Sequence, residues 1–77
     1  MKPIKDISYI EISKNFNHKK IHFTSDCEFF PHFDVKVYIY DISLGNNNEI
    51  IFQTKLLNSN KFLTIGSNMK NLQYEYI

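Results

Sequence analysis

The segment from Asp34 to Leu57, DVKVYIYDISLGNNNEIIFQTKLL, constrains the fold more than any other part of the chain. Two runs that alternate apolar and polar residues flank a turn over Gly45–Asn48. Period-two alternation places successive side chains on opposite faces of a strand. Asn and Gly accept the left-handed backbone that tight turns demand, so the segment reads as a β-hairpin. Val35, Val37 and Ile39 face one way, and Lys36, Tyr38 and Tyr40 face the other. Beyond the turn, Ile50, Phe52, Thr54 and Leu56 oppose Ile51, Gln53, Lys55 and Leu57.

The rest of the chain extends the pattern. Ile7–Ser13 reads as a strand with Ile10 and Ile12 on one face, and residues 14–18 as a polar turn. Lys19–Thr24 reads as a second strand, with Ile21 and Phe23 opposite Lys20, His22 and Thr24. Together these predict a first hairpin. Ser25–Phe33 breaks the alternation, and Pro31 makes it a connection or an edge. Lys61–Ile65 and Leu72–Ile77 complete the set, the latter with Leu72, Tyr74 and Tyr76 on one face. Helix finds little support beyond a single turn near Ser67–Leu72, because β-branched and aromatic residues dominate and Ala is absent. The expected fold is all-β: a small antiparallel β-sandwich or barrel of about six short strands, forming a single domain over residues 1–77.

Size and composition exclude several function classes. A chain of 77 residues buries only roughly 60–65% of its unfolded surface, so it depends on dense packing or on a partner. Its single cysteine, Cys27, rules out an intrachain disulfide. Seven Phe and five Tyr supply burial instead. Nine lysines against eight acidic residues give +1, there is no Arg, and the lysines are dispersed. This argues against a nucleic-acid partner. No signal-peptide or membrane-length apolar run occurs, so no membrane partner is expected and the expected location is the cytoplasm, or a particle assembled there.

The residues with metal-ligand or nucleophile chemistry are His18, His22, Asp26, Cys27, Glu28, His32 and Asp34. His22, Cys27 and His32 are evenly spaced, but no C-x-x-C or H-x-x-x-H pair on one turn preorganises a zinc site. A Cys–His nucleophile needs a pocket. Only two glycines are present, so no phosphate-cradling loop exists. The expectation is therefore no metal, no cofactor and no enzymatic activity.

Tyr38 and Tyr40, beside Lys36, carry the binding expectation. Outward aromatics on a sheet provide contact area at low entropic cost. Alternatively, Ser25–Phe33, with Phe29, Phe30 and Phe33, folds over that face as a second core layer. Tyr74 and Tyr76 are expected to point inward with Leu72.

The segment VKVYIYDISLGNNNEIIFQTKLL followed by NLQYEYI resembles the short β-module at the N-terminus of some bacterial glycosyltransferases: valine-rich strand, aspartate, turn, Ile-Phe strand, and a last aromatic strand with alternating Glu and Tyr. The resemblance covers about half of the chain and implies an accessory, carbohydrate-associated or assembly role. The functional expectation is a non-enzymatic module for binding or assembly, contacting a protein partner, a further copy of itself or a glycan through the aromatic face or a sheet edge. The alternative is a structural subunit of a phage or virus particle, or a mobile-element inhibitor protein that blocks a host enzyme.

Overall fold

The computed structural model describes residues 1–26 and 33–77. Among these, six strands form one antiparallel sheet: β1 (Lys2–Pro3), β2 (Lys20–Ser25), β3 (Phe33–Leu44), β4 (Ile50–Leu56), β5 (Phe62–Gly66) and β6 (Gln73–Tyr76), in the order β1-β6-β2-β3-β4-β5. The all-β expectation of about six short strands holds, in the form of a sheet that is not closed. One helix, α1 (Tyr9–Phe16), precedes β2.

The β3–β4 hairpin runs as its sequence pattern requires, with Val37 opposite Leu56 and Leu44 opposite Ile50. Asparagines carry its left-handed backbone. Asn47 and Asn48 have φ of 57° and 61°, while neither glycine has positive φ. The hairpin also contains a bulge. Ile39 opposes Thr54 and Asp41 opposes Gln53, leaving Tyr40 as the extra residue. The bulge resets the alternation, so that Ile42 comes opposite the buried Phe52.

One face of the sheet carries the core. Ile21, Phe23, Val37, Ile39, Phe52, Thr54 and Ile65 are wholly buried. Thr54 is compatible with this interior because its hydroxyl donates to the Leu63 carbonyl at 2.7 Å. Phe33 shares the face of Val35 and packs against the same core. It therefore does not cover the face of Tyr38. Residues 27–32, with Cys27, Phe29, Phe30, Pro31 and His32, lie outside the described residues.

The expected first hairpin, from Ile7 to Thr24, is replaced by α1 followed by β2. Local signals account for the helix. Ser8 is the N-cap, its hydroxyl accepting from the Glu11 amide at 3.3 Å, and Ser8-Tyr9-Ile10-Glu11 has the spacing of a capping box. Ile7 and Ile12 stand where a hydrophobic staple places its two members. The helix separates Ile10, 79% exposed, from Ile12, 0% exposed, whereas a strand would put them on one face. Phe16 closes the helix against the sheet, its ring 4.8 Å from Tyr74, 5.7 Å from Tyr76 and 6.1 Å from Phe52. Tyr74 is buried as expected; Tyr76 contacts Phe16 and Tyr74 from the rim and stays largely exposed.

Candidate functional site

The opposite face of the sheet carries the functional candidates. Strand register builds it in cross-strand rows. Lys20 on β2 opposes Tyr38 on β3, Tyr38 opposes Lys55 on β4, and Lys55 opposes Phe62 on β5. This row alternates cation and ring across four strands. Lys20, Tyr38, Lys55 and Leu57, with the turn at 58–60, line an open groove of about 550 Å³. Tyr38 is half-buried there, its hydroxyl 3.0 Å from Nδ1 of His18.

Tyr40 lies beside this row. The bulge presents its ring to the same face, where it meets Phe62 edge-on with centroids 5.7 Å apart. Phe62 is 67% exposed and Tyr40 40% exposed. Lys36 is exposed one row away, opposite His22. The three residues singled out from sequence thus share one face but occupy three settings: Tyr38 in the groove, Tyr40 on an aromatic ledge, and Lys36 in the histidine row. Among the described residues, no lysine lies within 4.0 Å of a carboxylate, so Lys20, Lys36 and Lys55 stand unpaired on a face that also carries the exposed carboxylate of Asp41, in register with Gln53.

Sequence reasoning missed Phe62, Lys20 and Lys55 as members of the site. Alternation alone puts Lys20 and Lys55 on polar faces, but only the β2–β3 and β3–β4 registers bring them beside Tyr38. The same reasoning named His22 and Asp34 among the candidate ligands but missed Glu75 and the pairing that joins the three in the histidine row. His22 Nε2 lies 2.5 Å from Asp34 Oδ1 on β3, and its Nδ1 lies 3.0 Å from Glu75 Oε1 on β6. The Asp34 hydrogen bond is the main force raising the His22 pKa above 6.5; partial burial opposes it, and the Glu75 bond adds to the rise. With both ring nitrogens committed, the imidazolium links three neighbouring strands. Its two carboxylates sit at different ring nitrogens and do not converge on one point. Among the described residues, no group of three or more His, Cys, Asp or Glu is arranged to hold a metal ion.

The cluster makes stability pH-dependent. The folded chain holds the His22 proton more tightly than the unfolded chain does. Its contribution is complete below the ordinary histidine value and is lost as pH rises through the raised one. Lys36, cross-strand to His22, is the cation facing it, against the two carboxylates. Urea midpoints measured from about pH 6 to about pH 8 should fall more for the wild type than for His22→Gln. Parallel profiles would show that the cluster contributes nothing.

Among the described residues, no helix is long and apolar enough to cross a membrane. No protein-family model, curated protein or solved structure matches the chain.

Proposed function

We propose that the chain is a non-enzymatic binding module that docks a partner protein on the outer face of its sheet. The supporting observation is the Tyr40–Phe62 ledge, two exposed rings in contact beside a groove flanked by unpaired lysines. Exposed aromatics next to one another on a small domain are costly to leave in water and are the residue types that anchor protein interfaces. The lysines select a partner segment that carries carboxylates around an apolar anchor. Three lysines make too short a track for a nucleic-acid backbone to dominate binding. Such a face serves an inhibitor that blocks another protein, or a subunit of an assembly, as well as it serves an accessory module. This reading places the chain in the cytoplasm or in a particle assembled there.

The test compares the wild type with the double variant Tyr40→Ala, Phe62→Ala in capture experiments from the source cells. Both rings are exposed, so folding stability should change by about 0.5 kcal/mol or less per site. Binding should weaken by about 30-fold or more for each ring, the effect of a hot-spot residue contributing about 2 kcal/mol. Tyr38 is the poorer choice because its half-buried ring and its His18 contact tie it to the fold. Equal capture of one protein by both forms would overturn the reading. Binding to a glycan array that disappears in the double variant would keep the face and replace the protein by a carbohydrate.

A further inference from the structure

The two edges of the sheet are protected unequally. The β1 edge is two residues long and contains Pro3. The β5 edge, Phe62-Leu63-Thr64-Ile65-Gly66, has no proline, no charged residue and no bulge. Proteins ordinarily guard a strand edge with one of these devices, because its unpaired N–H and C=O groups invite pairing.

Register shows which groups are unpaired. The Leu56 amide donates to the Lys61 carbonyl, and the Ser67 amide to the Ile50 carbonyl, at 3.0 and 2.8 Å. Antiparallel pairs alternate between hydrogen-bonded and non-hydrogen-bonded. Lys61, Leu63, Ile65 and Ser67 therefore direct their backbone groups to β4, and Phe62, Thr64 and Gly66 direct theirs away from the sheet. Of these outward groups, the Gly66 carbonyl accepts one bond, from Met69 at 3.2 Å, and retains a second lone pair.

We propose that β5 pairs antiparallel with β5 of a second copy of the chain, about a two-fold axis through Thr64. The sequence of the strand is self-complementary in that register. Thr64 meets Thr64 of the second copy as a hydrogen-bonded pair. Phe62 meets Gly66 of the second copy as a hydrogen-bonded pair; the carboxylate end of Glu49, which accepts from the Asn68 amide, lies over Gly66 and turns aside to admit the ring. Every outward backbone group of Phe62, Thr64 and Gly66 then finds a partner. On the core face, Leu63, half-buried in one chain, meets Ile65 of the other in a close, non-hydrogen-bonded pair. Lys61 meets Ser67, so no like charges are opposed. Pairing of the same patch on both chains is the isologous contact of a closed dimer. It makes one continuous sheet with both Tyr40–Phe62 ledges on the same side. The inference rests on strand register; its Thr64 variants leave the Tyr40–Phe62 ledge unchanged, so its failure and that of the ledge are told apart.

Sedimentation and light scattering from about 1 μM to about 1 mM, a range that brackets weak self-association, test it directly. The wild-type mass should rise from one chain to two. The Phe62 and Thr64 amides should exchange more slowly at the high end of the range. Thr64→Pro removes an outward amide on an edge strand, where proline is tolerated; it should keep the circular dichroism of the wild type and weaken association at least tenfold. If that variant does not fold, Thr64→Lys replaces it. This puts like charges opposite each other on the axis and should weaken association in the same way. A monomer throughout the range, association unchanged in the folded variant, or amide exchange independent of concentration would each overturn the proposal.

Discussion

Phe16→Ala is expected to destabilise the fold by about 3–5 kcal/mol, the range for truncating a buried phenylalanine. A chain of 77 residues has a total stability of roughly 4–12 kcal/mol at about 0.05–0.15 kcal/mol per residue, so this one change removes much or all of it. The reason is geometric. Phe16 is 2% exposed and its ring contacts Phe52, Tyr74 and Tyr76. It is the point at which the helix joins a β4 side chain to two from β6. Truncation leaves a cavity between helix and sheet, and α1, with eight residues, is too short to persist undocked. Ile10→Ala, on the solvent side of the same helix, should change stability by about 0.5 kcal/mol or less. Urea denaturation of the two variants side by side decides the matter. Equal, small losses would mean that the helix does not cover the core.

That contrast marks the part of the fold that the sequence expressed ambiguously. Ile10 and Ile12 are two apart and β-branched, which suits a strand, yet Tyr9, Ile12 and Phe16 also fit one helical stripe. Over eight residues the two periods overlap, and intrinsic preference leans to β. The deciding signal was at the boundary: Ser8 and Glu11 in capping-box spacing, with Ile7 and Ile12 flanking them. The β3–β4 hairpin was legible because its alternation is long and its turn chemistry is local. The strand order was not legible. His22 and Glu75 are 53 residues apart, and nothing near either residue announces that β6 lies beside β2. The same holds for the site: parity alone puts Tyr38 and Lys36 on the outer face, whereas Phe62 joins Tyr40 only through the β4–β5 pairing and the bulge.

Deleting single residues around that bulge should separate the fold from the binding face. Removing Tyr40 removes the extra residue itself. Ile39 still opposes Thr54, Asp41 still opposes Gln53 and Ile42 still opposes Phe52, now in regular pairing, so every core side chain keeps its face. Stability should stay within about 1 kcal/mol of the wild type, as for a surface change that leaves packing intact. Removing Tyr38 shortens the same strand by one residue and also absorbs the bulge, but with a different result. Ile39 moves to the outer face in place of Tyr38, and Tyr40 enters the core at the site of Ile39, which is 0% exposed. A one-residue slip exchanges the faces of a strand, and here the slip is confined to these two positions. Overpacking by the larger ring costs about 1–3 kcal/mol, and burying its hydroxyl without a partner costs about 1–3 kcal/mol more. Thermal melts of the two deletions should therefore differ widely, although each removes one tyrosine from one strand. Equal melting temperatures would contradict the register in which Tyr40 is the extra residue. If the Tyr40 deletion stays folded and loses the partner captured by the wild type, the aromatic ledge acts in binding and the bulge serves to present it.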